Sequence, residues 1–197
     1  MFQAILLAGP PGCGKSSQAH LLSQTFAIPH IDSSSLFAQT DEYTLSAKKR
    51  HADNRADARA GSADFFSDAL ATELLLHALT QASAPLVLLT GTHRTPQQVH
   101  LLRDVVKLVC VFNLTSSLSY EEQIAFLFAR LNSANDRLRE SDTDKKLFSV
   151  RFRRYLENDL PALALLPVET IVPVSYEDSF SQIQQLLVRK VEILLNK

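Results

Sequence analysis

Gly9-Pro10-Pro11-Gly12-Cys13-Gly14-Lys15-Ser16 is the stretch on which the fold of this chain turns. It satisfies G-x-x-x-x-G-K-[ST] at every fixed position, the spacing of a P-loop (Walker A). Residues 3–8 before it (QAILLA) are short and mostly apolar, which suits a strand buried on both faces. Lys15 to Phe26 after it puts Leu21, Leu22 and Phe26 on one side, as a helix would. Strand, Gly-rich turn, helix is the context the motif requires. The chemistry needs these residue types: glycines let successive backbone N–H groups converge on phosphate oxygens, and the helix adds its positive N-terminal end. Lys15 is expected at the β- and γ-phosphates and the Ser16 hydroxyl on Mg²⁺, with Pro10, Pro11, Cys13 and Ser17 completing the nucleotide-binding wall. A chance match in an ordinary turn would not explain the flanking elements.

Glycine usage sharpens the point. Only 5 of 197 residues are Gly, against a usual ~7%, and three of the five are Gly9, Gly12 and Gly14. The other two, Gly61 and Gly91, precede a helical stretch and an Arg-bearing turn.

Outward from the turn the pattern recurs. Short strands are expected at 28–31, 86–90 (LVLLT), 108–114 (LVCVFNL) and 170–174, the last interrupted by Pro173. Helices are expected at 62–83, from Pro96 with Val99, Leu102 and Val106 facing inward, at 120–132, at 143–160 and at 178–195. Ser119 and Glu122 form a capping-box start for the third of these. Strands alternating with helices predict a three-layer α/β/α fold with a parallel sheet of about five strands. The polar stretch 39–60 is expected to form a small lobe outside the sheet.

Composition excludes several classes. Lys+Arg is 20 and Asp+Glu 21, so no global basic field calls for nucleic acid or an anionic membrane. Cys13 and Cys110 make no disulfide framework and have no zinc-type neighbours, which suits a reducing, cytoplasmic compartment. The N-terminus does not read as a signal peptide, and no window approaches the ~20 apolar residues of a membrane span.

Four segments in order resemble the adenylate kinases and their nucleoside monophosphate kinase relatives. GPPGCGKSSQ (9–18) is similar to GxPGxGKGTQ, and Ile28-Pro29-His30-Ile31-Asp32-Ser33 to the stretch after the family's second strand. Gly91-Thr92-His93-Arg94-Thr95-Pro96-Gln97-Gln98 is similar to DGFPRTxxQ, and Arg151 to Tyr155 followed by Pro161 to RLxxYxxxxxPL. The resemblance implies one P-loop kinase domain over 1–197, with an acceptor-binding lobe near 33–65 and a short lid near 131–142. It implies ATP with Mg²⁺, a nucleoside monophosphate acceptor (AMP by family default), two nucleoside diphosphates as products, and a monomer. Arg94 would hold the acceptor phosphate and Gln98 its base, with Asp32 and Ser33 lining the acceptor side. Arg130, Arg139 (or Arg137) and Arg151 would be transition-state cations near the lid. A zinc lid is excluded, because the lid has no cysteine.

Charge counting is consistent with that role. Residues 130–154 hold six of the twelve arginines and two lysines against four acids. The plainer reading, a solvated helix face laced with i,i+4 pairs, covers part of this cluster. Arginine dominates, as bidentate phosphate recognition prefers.

Departures from the family pattern matter equally. Its acid before the glycine in DGFPR is Thr90 here, and a phosphate-gripping arginine falls on Ala38. Arg50, Arg55 or Arg59 in the polar lobe could substitute. Asp32 is open between a turn carboxylate capping a helix from Ser33 and an acid like that which small-metabolite kinases use near Mg²⁺, here through water, or as a base for an alcohol. A catalytically weak nucleotide-binding protein is the remaining alternative. His93 is open between a phosphate contact and packing.

Overall fold

The computed structural model describes residues 1–50, 67–133 and 143–196. The strands are β1 (Phe2–Ala8), β2 (His30–Asp32), β3 (Leu86–Thr90), β4 (Val106–Thr115) and β5 (Ile171–Ser175). They form one parallel sheet in the order β2-β3-β1-β4-β5. β1 is central because both its neighbours pair with it, Ile5 lying opposite Leu88 on one side and Cys110 on the other. Its side chains alternate between two cores. Ala4, Leu6 and Ala8 face one set of helices, and Ile5 and Leu7 the other.

The helices are α1 (Lys15–Phe26), α2 (Ser33–Ala38), α3 (Glu42–Arg50), α4 (Asp68–Ala82), α5 (Pro96–Val105), α6 (Tyr120–Ser133) and α7 (Lys145–Arg154). α7 runs through a π-helical turn (Tyr155–Asp159) into α8 (Leu160–Leu163), and α9 (Phe180–Leu195) closes the chain. α1 and α9 cover one face, where Ala19, Leu22, Ile183, Leu187 and Val191 pack on Ile5 and Leu7. α4, α5 and α8 cover the other through Leu70, Leu74, Leu79, Val99, Leu102 and Leu163. The three-layer parallel architecture expected from alternation is the one observed.

Boundaries moved where local rules compete. α5 passes directly into β4, so Val106 is the first strand residue instead of the last inward helical one; its N–H still caps the helix on the Leu102 carbonyl. Pro173 is tolerated because β5 is an edge strand, paired only with β4. The stretch 39–60 contributes α3, and α4 begins at Asp68 behind a Ser67 cap. Gly61, Arg55, Arg59, Arg137 and Arg139 lie outside the described residues, as does the lid from 134 to 142.

A third apolar cluster decides where the site sits. Cys13, Leu114, Ile124, Leu127, Phe148, Phe152 and Tyr176 are buried together beneath the Gly-rich turn. Aromatic edges lock it: Tyr120 meets Phe152 at 5.6 Å and Phe128 meets Phe148 at 5.8 Å. The C-terminal ends of the strands, α6 and α7 are thereby clamped to one turn.

Candidate active site

The turn between β1 and α1 has the conformation its glycines permit. Gly9, Gly12 and Gly14 adopt φ of 142°, 78° and 90°. At Gly9 space also demands glycine: an added Cβ would sit 2.9 Å from the Leu114 Cβ and carbonyl oxygen. Gly14 is the N-cap of α1, so no side-chain hydrogen bond caps the helix start, and the first turn carries no acid. Unsatisfied N–H groups there offer an anion site. The Lys15 ammonium donates to the Pro10 carbonyl at 3.1 Å, folded back over the turn. Ser16 and Ser17 are exposed in the first turn of α1, while Cys13 is buried and belongs to the apolar cluster below.

Both readings of Asp32 meet in one geometry. Its carboxylate caps α2, accepting from the Ser34 N–H at 2.8 Å and the Ser34 hydroxyl at 2.6 Å. Its other oxygen accepts from the Ser16 hydroxyl at 2.8 Å. Burial pushes its pKa up, but the Ser34 and Ser16 hydrogen bonds win and hold it below the usual range. A hydroxyl and an ionised carboxylate side by side are the hard oxygen donors that Mg²⁺ selects, so this pair fits the ion. The same engagement makes Asp32 a poor proton acceptor.

The loop after β3 faces the turn. Gly91 has φ 72°, and an added Cβ would lie 2.5 Å from the Ser33 hydroxyl, which donates to the Gly91 carbonyl at 2.7 Å. The Arg94 Nε donates to the same carbonyl at 3.2 Å. Gln98 accepts from the Arg94 N–H at 3.0 Å and donates to Asp68 at 2.9 Å; Thr95 donates to that same carboxylate oxygen at 2.8 Å. Both amide atoms of Gln98 thus brace the Arg94 loop, and neither they nor the Ser33 hydroxyl point at open space. Thr90, where the family pattern has an acid, shares a 3.0 Å hydrogen bond with His30 Nε2. Burial holds that imidazole below its ordinary pKa, in spite of Asp32 nearby.

Arg130, in the last turn of α6, donates to the Tyr176 carbonyl at 2.7 Å, and its guanidinium lies 3.7 Å from the Cβ position of Gly14. Phe180 flanks the same spot, and Gln18 ties α1 to the Phe180 carbonyl at 2.9 Å. Arg151 lies half-buried on α7.

Two groups emerge here that sequence reasoning did not give their due. His93 is 2% exposed, and its Nδ1 has no hydrogen-bond partner among the described residues. Burial, then Lys15 and Arg94, push its pKa down to about 3, so the ring is neutral. Asp159, at the end of the π-turn, was not singled out at all; burial pushes it up to about 6 against the opposing pull of Arg94 and Lys15. The stretch Tyr155–Asp159 lies inside the fourth resembling segment, but that pattern fixes Tyr155 and Pro161 and not position 159, and the wide turn has no sequence signature. On the outer side of the β2 edge, an open cleft of about 640 Å³ runs from Ser16 and Asp32 to His20, His30 and His77.

A parallel sheet in this order, with a phosphate-type turn between its central strand and α1, defines a P-loop kinase fold of the αβα type. No family model matches the chain. It is 31% identical over 108 residues to the adenylate kinase of Encephalitozoon cuniculi, covering 55% of this chain and 57% of that protein. It is 34% identical over 103 residues to that of Syntrophomonas wolfei (50% and 44%), and 35% over 113 residues to that of Treponema denticola (57% and 52%). The chain is a divergent relative of the adenylate kinases, and it spans about half the length of the curated relatives it matches.

Proposed function

We propose that this chain transfers the γ-phosphoryl group of ATP to a nucleoside monophosphate, AMP by family default, giving two nucleoside diphosphates. The observation that carries the reading is convergence. The anion-ready turn, Lys15, Arg94 and Arg130 come from three separate segments and meet at one end of the sheet. Phosphoryl transfer asks for little else, since charge spreads over the transferring oxygens and catalysis is mostly positioning and positive electrostatics.

In this reading the N–H groups of residues 12–16 hold the triphosphate, Pro10 and Pro11 having none, and Lys15 swings from the Pro10 carbonyl onto it. Arg130 lies over the turn beside Phe180, where it can neutralise charge and face a base. Arg94, held by Gly91 and Gln98, orients the acceptor's phosphate. Arg151 and Arg139 remain lid cations in the proposal. Ser16 and Asp32 would hold Mg²⁺, which supplies charge neutralisation when bound. An acceptor phosphate is already a nucleophile, so no base is needed.

A slow, mainly nucleotide-binding protein is a second reading, favoured by Thr90, whose hydroxyl is engaged with His30 in the family acid's place. A coupled assay with ATP and a panel of AMP, CMP, UMP and GMP separates the two. Diphosphate formation that disappears in Lys15→Ala supports transfer. Tight ATP binding without transfer to any monophosphate leaves the second reading. Turnover with an alcohol alone would replace both.

A further inference from the structure

Among the described residues, Phe180 is the one aromatic side chain that stands exposed, at 38%. It opens α9 and extends by one step the spacing of Ile183, Leu187 and Val191, which are buried against the sheet. Phe180 itself belongs to none of the three apolar clusters. Its ring lies instead against the phosphate-type turn. Cε2 and Cδ2 are 3.9 and 4.0 Å from where a Cβ on Gly14 would sit, and Arg130 Nη2 is 3.7 Å from the same point. The position is fixed from three sides. Gln18 on α1 donates to the Phe180 carbonyl at 2.9 Å, the Ser179–Gln182 capping box sets the start of α9, and Arg130 donates to the Tyr176 carbonyl at 2.7 Å. An apolar ring held in the open on such a turn is a surface that gains by being covered.

The polar side chains on the neighbouring segments are engaged with the protein itself. Gln123 donates to the Leu118 carbonyl at 2.7 Å and accepts from the Tyr176 hydroxyl at 2.7 Å, so both its amide atoms are taken. Glu177 accepts from the Ser116 hydroxyl at 2.7 Å and the Ser117 N–H at 3.0 Å. Gln182 accepts from the Ser179 N–H at 3.0 Å, and Gln18 Oε1 is fully buried, out of reach of an incoming base. A site that reads a base by hydrogen bonds rejects the wrong one by orders of magnitude. A ring reads only a π-face, which every base has, and a guanidinium beside it adds attraction without selecting. We propose that Phe180 is the stacking platform for the base of the phosphoryl donor, with Arg130 beside it, and that the donor site therefore takes nucleoside triphosphates of any base. Phosphates held at the start of α1 bring their nucleoside within reach of a ring that touches Gly14. The inference rests on the phosphoryl-transfer reading above and widens its donor from ATP to a class.

The test uses the full chain with the panel of monophosphates as acceptors and ATP, GTP, CTP and UTP as donors. Inorganic tripolyphosphate, which has no base, serves as a competitor for the donor site. Wild type should use all the donors with kcat/KM within about tenfold of one another. Phe180→Ala should raise KM for each of them, roughly ten- to hundredfold, with kcat little changed and inhibition by tripolyphosphate unaltered. Phe180→Trp should keep KM close to wild type. The chain has no tryptophan of its own, so the indole introduced there is a direct probe of the ring's position. Its emission should change with every nucleoside triphosphate and stay constant with tripolyphosphate. A preference for ATP beyond about tenfold overturns the proposal, because a hydrogen-bonding group such as the exposed Asp178 would then read the base. Equal losses of triphosphate and tripolyphosphate affinity in Phe180→Ala overturn it as well, since the ring would then only support the turn. If Phe180→Ala does not fold, the Phe180→Trp titration decides alone, and an indole blind to every nucleoside triphosphate is fatal. Emission changes with all the triphosphates but no transfer to any monophosphate would uphold the stacking platform and defeat the phosphoryl-transfer reading instead.

Discussion

The turn at 9–16 and the loop at 90–98, proposed above to hold donor and acceptor, lie at the same end of the sheet but are built from different material. The turn works through backbone. Its glycines take positive φ, its roof is one helix start, and it rests on a buried aromatic cluster. The loop works through side chains that hold one another: Ser33 and Arg94 on the Gly91 carbonyl, Gln98 on Arg94, Asp68 on both Gln98 and Thr95, and His30 on Thr90. A site made of N–H groups constrains sequence tightly, because only glycine and a fixed spacing produce it. One made of paired side chains can change partners, provided each buried polar group still finds one. That is how the acid before Gly91 can be replaced by a threonine without leaving a hole.

The largest effect should come from the turn. Lys15→Ala should lower kcat on the order of 10²–10³-fold with little change in thermal stability, since its ammonium is held by a single carbonyl, that of Pro10. Steady-state rates and a melting curve on the same preparation check both halves. Comparable losses in Arg103→Ala, a basic residue in the last turn of α5 given no role here, would break the assignment. On the loop side, Asp68→Ala removes one carboxylate oxygen that receives both Thr95 and Gln98. It should cost about 1–3 kcal/mol of stability through the donors left behind. It should also raise KM for the acceptor several-fold while KM for ATP stays put, because the Arg94 loop loosens and the turn does not. Equal shifts in both constants would show that the two regions are not separable.

Titration sharpens the contrast further. Asp32 has a depressed pKa in the folded state, so its stabilising contribution is present above its unfolded value and lost as pH falls below it. Asp159 has the opposite sign. Its raised value means that ionisation opposes folding, so the penalty grows as pH rises from about 4 to about 6 and is constant above that. Relative to Asp159→Asn, wild type should therefore lose about 1–3 kcal/mol of stability across that window. Urea unfolding of both proteins at pH 4.5 and 7.5 measures it, and a pH-independent difference would dispose of the assignment of burial as the cause.

How much of this could be read from sequence follows the same division. The turn, the parallel sheet and its two cores were legible because glycine spacing and short apolar runs alternating with helical periods are local signals. Asp32 was legible as either cap or acid, and the structure shows one carboxyl meeting Ser34 and Ser16 together. Gln98 was visible only by resemblance, which gives a position but not the partner Asp68, thirty residues away. Asp159 was out of reach. Nothing in Tyr155–Asp159 announces a π-turn, and the charges of Lys15 and Arg94 come to bear on Asp159 only once three distant segments have packed.

The smallest effect belongs to the lobe between the two regions. Arg50, at the end of α3, pairs with Glu73 on α4 and lies 5.9 Å from the Tyr43 ring centre, while Tyr43 stacks on His77 at 3.7 Å. Arg50 is the described arginine nearest in role to the family's missing phosphate grip, so its two jobs compete. If it is structural, Arg50→Ala should cost under about 1 kcal/mol, because the pair is partly solvated and the Tyr43–His77 stack keeps α3 on α4. If it leaves Glu73 to grip an acceptor, the same variant should raise acceptor KM well beyond what so small a loss of stability explains. Glu73→Gln separates the two, since freeing Arg50 from its carboxylate should then tighten acceptor binding and otherwise leave it unchanged. A tighter acceptor constant in Glu73→Gln with a weaker one in Arg50→Ala would move this lobe from scaffold to site.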